Sequence, residues 1–206
     1  MTVHGFVQAG GGSTRFGKDK ALVELRGETM LAYTTQLLAK GCDSVRIVAP
    51  VGKYQNLPAP LLEDRYPGEG PLGGILTAIS ALAALSPSGE WALILGCDMP
   101  FLSLDFLTFL RAQTETSFAQ VIVPQSASGL EPLCAVWHAS ALPVVHAAFN
   151  SGVRKVTDTM KQLPREVLDE SAWKRFDTHD RLFWNMNTPE DYQEARRILE
   201  GEQRTS

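Results

Sequence analysis

At 206 residues and 22.5 kDa the chain has the length of one ordinary domain, enough to bury a core without disulfides or a structural metal. Hydrophobic residues at 44% and charged residues at 20% exclude a disordered or fibrous chain. A net charge of -4, with an isoelectric point near 5.6, gives no global basic field for nucleic acid or an anionic membrane.

The N-terminal Met1-Thr-Val-His-Gly-Phe-Val reads straight into a strand over Thr2 to Ala9, without the basic and apolar regions of a secretory signal. No apolar run reaches the roughly 18 residues of a spanning helix, so a cytoplasmic location is expected. A helix follows from Met30 to Lys40, with Thr29 placed to cap it and Gly41 to end it. Ser44 to Ala49 reads as a strand, and a second helix is predicted from Gly73 to Leu85. The run Trp91 to Gly96 is apolar on both faces, as a central parallel strand should be. A helix over Leu104 to Gln113 precedes strands at Gln120 to Pro124 and Pro132 to Val136. Further helices are predicted over Ala139 to Asn150, Val153 to Gln162 and Pro189 to Glu200, leaving a frayed tail at 201–206. Strands alternating with helices, with no repeat or linker-like shift in composition, predict a single α/β domain of three layers around a mostly parallel sheet.

Cys42, Cys97 and Cys134 are an odd number without zinc-ligand spacing, and read as reduced residues in or near the core. His4, His138, His146 and His179 show no pairing that marks a base or a ligand set.

The most informative stretch follows the first strand. Gly10-Gly-Gly-Ser-Thr-Arg15-Phe-Gly-Lys-Asp-Lys20 holds four glycines and three cations in eleven residues. Glycine lets consecutive amide N–H groups approach phosphate oxygens, and the cations offset the charge of a triphosphate. Two common phosphate loops fail here at a required residue. Asp19 stands where a Walker loop needs a hydroxyl for magnesium, and Arg15 stands where a dinucleotide fingerprint needs its last glycine. Asp19 is then free to pair with Lys18 or to organise the loop.

Past the end of the most apolar strand stands Asp98, where open α/β sheets place their ligands. A carboxylate there suits Mg²⁺, which bridges carboxylates to substrate phosphates. Gly70-Pro-Leu-Gly73-Gly74 starts a helix and can also bring backbone close to a base or ribose. Asn185 and Asn187 alternate at strand-like spacing before Thr188-Pro189, an N-cap with proline at the first helical position.

The glycine loop resembles the L-A-G-G-x-S-x-R-M-G-x-D-K signature of nucleotidyltransferases with a GT-A-like, Rossmann-related fold. Within these it is most similar to the molybdenum cofactor guanylyltransferases. Gln8 replaces the usual leucine and Phe16 the methionine, and Gly12 is extra. The similarity continues in order through Leu62-Glu-Asp64, Gly70-Pro-Leu-Gly-Gly74, Leu95-Gly-Cys-Asp-Met-Pro100, Glu131-Pro-Leu133 and Asn185-Met-Asn-Thr-Pro-Glu190.

The resemblance implies transfer of GMP from Mg²⁺-GTP to the terminal phosphate of molybdopterin, with release of pyrophosphate. It assigns Mg²⁺ to Asp98, the triphosphate to Lys20 and Arg15, and nucleotide contacts to Ala9, Gly10, Gly11, Gly12, Ser13, Asp64 and Gly73. An acceptor-only carboxylate at Asp64 complements the N1–H and N2–H₂ donors of guanine; the lesser alternative is an exposed loop acid paired with Arg65. The family's asparagine at the end of the second strand is absent, with Val48-Ala49-Pro50 in its place. Asn185, Asn187 and Arg154 are the expected substrate contacts, with Arg154 and Lys155 opening a helix. Trp173 or Trp184 are candidates to stack on the pterin. The implied partners are molybdopterin-loading proteins and molybdoenzyme chaperones, not nucleic acid or membrane. Alternatives are a cytidylyl or sugar-phosphate transferase of the same fold, a nucleotide-binding regulator without catalysis, and an ordinary P-loop NTPase.

Overall fold

The computed structural model describes residues 1–10, 19–85, 89–178 and 180–203, with side chains as far as Gly201. The first strand, β1 (Val3–Gln8), is followed by the hairpin β2 (Glu24–Leu25) and β3 (Glu28–Thr29), then α1 (Met30–Gly41), β4 (Ser44–Ala49), β5 (Leu61–Glu63) and α2 (Pro71–Leu85). Next come β6 (Trp91–Gly96), α3 (Leu104–Ala112), β7 (Val121–Ser126), β8 (Gly129–Leu130) and β9 (Cys134–His138). The chain continues through α4 (Leu142–Asn150), α5 (Val156–Met160), β10 (Arg165–Leu168), α6 (Glu170–Trp173) and α7 (Pro189–Gln203).

The main sheet has the order β10-β7-β9-β6-β1-β4-β5, with β8 paired to β7. β5, β4, β1 and β6 are mutually parallel, β9 runs against both β6 and β7, and β10 is parallel to β7. Along β1 and β6 the side chains alternate between two cores. Val3, Val7, Leu93 and Leu95 pack toward Leu38, Phe106 and Leu107, while Phe6, Ala92 and Ile94 pack toward Ile75, Ile79 and Leu82. Helices thus cover both faces, which accounts for the unbroken burial of β6. A smaller cluster of Leu25, Met30, Met186, Ala195 and Leu199 seats α7 against the β2–β3 hairpin and the start of α1.

The expected mostly parallel α/β architecture is present, and several boundaries differ for identifiable reasons. Thr29 caps α1 as expected, its hydroxyl accepting from the Ala32 N–H (3.2 Å). The strand expected at Pro132 to Val136 begins only at Cys134, because Glu131 to Cys134 form a turn (Cys134 N to Glu131 O, 3.0 Å) and proline cannot donate to a ladder. α4 starts at Leu142, after a tight helical turn at Ala139–Ala141, with Pro143 in its first turn, the position a helix tolerates. α5 begins at Val156 rather than Val153, since Lys155 is extended (φ -79°, ψ 117°). Arg154 and Lys155 therefore precede that helix instead of opening it. Asn185 to Asn187 belong to no strand, and α7 runs three residues beyond Glu200.

Burial pushes the Cys42 thiol up to about 12 and also raises those of Cys97 and Cys134, which favours the protonated thiol at all three.

Candidate active site

β1 lies between β4 and β6, and the chain fills the β4–β5 side before crossing back to β6. The carboxyl ends of β1 and β6 therefore flank a topological switch point, the crevice in which open α/β sheets bind ligands. Gln8, Ala9 and Gly10 leave β1 there, and Asp98 stands just beyond β6. Ala9 N–H donates to Val48 O (2.9 Å). Gly10 has φ +116°, and a Cβ on it would lie 2.7 Å from Pro50 Cδ, so glycine is required at the mouth of the loop. The expected roles of Gly11, Gly12, Ser13 and Arg15, like that of Lys18, fall outside the described residues.

Three expected site residues from distant parts of the chain meet at this crevice. Lys20 Nζ donates to Asn187 Oδ1 (2.7 Å) and pairs with Asp98 Oδ2 (3.5 Å). Asp98 Oδ1 is buried and accepts no hydrogen bond among the described residues. Burial raises the Asp98 carboxyl above its ordinary value, against the opposing charge and hydrogen bond of Lys20. Gly96 makes room for the carboxylate, since a Cβ there would lie 2.9 Å from Asp98 Oδ1. Asp98 does not cap α3; that task falls to Ser103, whose hydroxyl accepts from Phe106 N–H (3.3 Å).

Asp19 organises the base of the glycine loop. It accepts from Ala21 N–H (3.1 Å) and the Tyr54 hydroxyl (2.9 Å), and pairs with Lys53 (3.0 Å). These contacts cap the helical turn Lys20–Leu22 and tie it to the β4–β5 loop, which sets the root of the Lys20 side chain.

Beside Asp98, the Met186 N–H donates to Asp98 O (2.8 Å) and the Met186 side chain is fully buried, which carries Asn187 past the carboxylate. Asn187 is held by the cap of α7. Thr188 Oγ1 accepts from Asp191 N–H (3.1 Å), while Asp191 Oδ2 accepts from the N–H groups of Thr188 and Asn187 (both 2.8 Å). Burial alone would raise the Asp191 carboxyl, but those bonds prevail and hold it below its ordinary value. Sequence reading overlooked Asp191, although the spacing Thr-x-x-Asp is a capping signature in plain sight. Asn185 turns to a backbone carbonyl, donating to Phe183 O (3.2 Å).

At the α2 side of the crevice, Asp64 does not pair with Arg65. Its Oδ1 accepts from Tyr66 N–H (3.0 Å) and the Thr77 hydroxyl (3.3 Å), leaving Oδ2 without a protein donor among the described residues. Gly73 is needed for close packing on Tyr66, whose Cβ would stand 2.8 Å from an added Cβ. Arg154 is joined to Glu69 (2.6 Å), on the loop before α2, and covers the Phe149 ring at 4.1 Å. It makes no contact with the Lys20–Asp98–Asn187 group. Trp173 is buried, donates to Gln125 O (3.1 Å) and packs on Phe183, so it is a core residue and not a stacking platform. Trp184 packs on Phe101, with the Arg181 guanidinium 5.5 Å from its ring centre. Of the described histidines, His4 bridges Ser44 and Glu90, His138 bonds Ser140, and His146 bonds Asn150; none reaches this crevice.

Comparison with known proteins agrees with this geometry. Residues 5–167 match the family described as the MobA-like NTP transferase domain. A protein named molybdenum cofactor guanylyltransferase from Rhodopseudomonas palustris is 32% identical over 197 residues, covering 93% of this chain and 91% of its own. One of the same name from Syntrophotalea carbinolica is 26% identical over 192 residues, covering 93% and 89%. In fold, the chain is similar to molybdopterin-guanine dinucleotide biosynthesis protein A from Archaeoglobus fulgidus, with a TM-score of 0.81, 24% identity and coverage of 96% and 99%. A Rossmann-related sheet, a phosphate-type glycine loop at its switch point and these relatives lead to one conclusion: the chain is a nucleotidyltransferase that belongs to the MobA-like NTP transferase family, and within it to the molybdenum cofactor guanylyltransferase family.

Proposed function

We propose that the chain transfers GMP from GTP to the terminal phosphate of molybdopterin, forming the guanine dinucleotide cofactor and releasing pyrophosphate. The observation that carries this reading is the contact of Lys20 with both Asp98 and Asn187, which gathers a cation, a carboxylate and an amide beside the glycine loop. The names of the relatives supply the nucleotide and the acceptor.

The terminal phosphate of the acceptor is already ionised, so the reaction needs no serine, cysteine or lysine nucleophile. A phosphate oxygen attacks the α-phosphorus in line, a new P–O bond forms, and the bond to the β-phosphate oxygen breaks as pyrophosphate leaves with the electron pair. Lys20, and Arg15 on the loop, offset the charge that gathers on pyrophosphate, while amides of the glycine loop hold the triphosphate. Asp64, through the oxygen left free by Tyr66 and Thr77, faces the nucleoside beside Gly73, Asn187 orients Lys20, and Asn185 lies on the acceptor side, whereas Arg154 is held by Glu69 at the α2 side.

Asp98 fits Mg²⁺. Its buried Oδ1 is an unclaimed acceptor, and no cluster of three His, Cys, Asp or Glu exists among the described residues to form an all-protein cage. A lone carboxylate, completed by phosphate oxygens and water, is a set this hard ion accepts. When bound, Mg²⁺ supplies Lewis-acid stabilisation of the phosphate charge.

The reading extends to residues 1–206 as one nucleotidyltransferase domain, acting in the cytoplasm with molybdopterin-loading proteins and molybdoenzyme chaperones as partners. Free Cys42, Cys97 and Cys134 favour a reducing compartment, and no described helix is long and apolar enough to cross a membrane.

The test is transfer from α-labelled GTP, CTP, ATP and UTP to released molybdopterin with Mg²⁺. Labelled product and matching pyrophosphate from GTP alone are expected. Transfer from CTP would replace the guanylyl reading with a cytidylyl one, and no transfer from any nucleotide would leave a binding role.

The α7 cap gives a smaller, independent test. Asp191→Ala removes the acceptor of two N–H groups and is expected to cost about 1 kcal/mol of stability. Because Asn187 sits on that cap, kcat/KM should fall about tenfold, more than one lost hydrogen bond in a remote helix would cause. The sign with pH follows from the lowered Asp191 carboxyl: the cap contributes fully above the ordinary carboxylate range and is lost as pH falls through the depressed value. Thermal melts of wild type and variant should therefore converge at low pH; a constant gap would remove the cap from the account.

A further inference from the structure

The main sheet ends on β10 at one side and on β5 at the other. Along β10, alternate residues turn their backbone groups toward β7. Pro164 O accepts from Gln120 N–H (2.7 Å), and with Arg165 in register with Val121 the N–H and C=O of Glu166 and Leu168 turn inward as well. The backbone groups of Arg165 and Val167 therefore point away from the sheet, and no described residue bonds them. Such an edge is a template for another strand.

Two apolar side chains stand on this edge. Val167 is 39% exposed in the strand, and Phe118 is fully exposed beside it, held there because the hydroxyl of neighbouring Ser117 donates to Glu166 Oε2 (2.6 Å). An open edge flanked by apolar surface is a liability to a chain that stays alone. Charge decides what the edge fits. Arg165, Val167 and Asp169 are exposed and project from one face of β10, since side chains of an extended chain alternate and Asp169 keeps an extended backbone (φ -72°, ψ 175°) just past the strand. A cation, an apolar centre and an anion at equal spacing are complementary to the same pattern reversed. Arg165 gives one guanidinium nitrogen to the carbonyls of Met160 and Lys161 (3.3 and 3.4 Å) and keeps its other donors. β5 carries no such pattern, for Leu61 to Glu63 hold one anion and no cation.

We propose that β10 is the docking edge for a second copy of this chain, the two strands pairing antiparallel about a two-fold axis at Val167. An axis normal to the sheet keeps each face on its own side, so the interface is the same surface on both copies. With Val167 on the axis, its outward N–H and C=O exchange bonds with the same groups of the other copy, and Arg165 of each copy comes opposite Asp169 of the other. The neighbouring register, centred on Glu166, brings two carboxylates together and sets each Arg165 against a valine, so charge selects the first. β7 and β9 separate this edge from β6, and antiparallel pairing turns the two crevices to opposite ends of the joined sheet, where both stay open.

The experiment is sedimentation velocity on the full chain from about 1 to 100 μM, with circular dichroism to establish folding. A strand of four residues and one ring make a small interface, so association is expected in the micromolar range. Wild type should move from the 22.5 kDa monomer to a species of twice that mass. Val167→Glu sets two carboxylates on the axis and should raise the dissociation constant at least about tenfold. Arg165→Asp and Asp169→Arg should each remain monomeric alone, because each puts like charges opposite one another at both ends. An equimolar mixture of these two variants pairs opposite charges again and should associate with about the wild-type affinity. A wild type that remains monomeric at about 100 μM overturns the proposal. So does a wild-type dimer that Val167→Glu leaves intact, or a mixture of the charge variants that stays monomeric while wild type associates. If Val167→Glu does not fold, the mixture decides; if either charge variant does not fold, Val167→Glu decides.

Discussion

Replacing Asp98 with asparagine is expected to lower kcat by about 10³-fold while the fold stands, because the substitution keeps the shape and removes only the charge that would hold a divalent cation. The side chain is 23% exposed overall, but its Oδ1 is buried and unbonded among the described residues. Burial also raises the carboxyl. A carboxyl whose folded-state pKa is raised favours the fold while protonated and detracts from it once ionised, so stability falls as pH climbs through that raised value. At neutral pH the asparagine variant should therefore melt no lower than wild type, or within about 2–4 °C of it, the shift that 1 kcal/mol produces at this chain length. Added Mg²⁺ should not restore turnover, and Mn²⁺ binding followed by electron paramagnetic resonance should weaken. A variant with near-normal turnover would sink the metal assignment; one that loses turnover only because it unfolds would move Asp98 from chemistry to structure.

Part of this architecture is legible in the amino-acid sequence, though not every element of it. The central strands were legible because burial on both faces leaves a continuous apolar run, as in Trp91 to Gly96, whose bounds agree with the structure. β10 was overlooked for the opposite reason. It is a four-residue strand with only Leu168 fully buried, so its pattern carries little hydrophobic signal, and pairing with β7 decides its conformation. Boundaries slipped where proline intervened at Pro132 and Pro143, since tertiary context decides whether such a residue ends a turn or begins a helix.

For the site, residue type and position at a strand end single out Asp98, while Lys20 and Asn187 are marked by the family resemblance; the three are separated by up to 167 positions and meet within 3.5 Å. What the sequence does not display is which polar groups are already occupied. Asp64 looked like a free acceptor, yet one of its oxygens is held by Tyr66 and Thr77. Arg154 looked free for substrate and is paired with Glu69. Conversely, Gln8 stands out in the sequence only as a departure from leucine, and its buried, unbonded side-chain oxygen and the seat of its amide against Gly74 exist only once β1 and α2 are packed together.

Lys20 gives the second large effect. Lys20→Met preserves most of the aliphatic stem and deletes the ammonium that lies 2.7 Å from Asn187 Oδ1 and 3.5 Å from Asp98 Oδ2. Removing one preorganised charge from a phosphoryl-transfer site costs about 10²–10³-fold in kcat, and that is the loss expected here. Lys20→Arg should recover only part of it, because a planar guanidinium is broader than an ammonium and cannot sit as one point charge between an amide and a carboxylate. The mechanism treats Lys20 and Asp98 as serving one charged transition state, so their effects should not multiply. Groups that work as a unit fail together, and a second deletion then has little left to remove. The Lys20→Met/Asp98→Asn double variant should accordingly be only a few times slower than Asp98→Asn alone, measured as single-turnover pyrophosphate release. A double variant slower by the full product of the two single losses would mean that the groups act on separate charges, and the single reaction centre inferred from their contact would have to be divided.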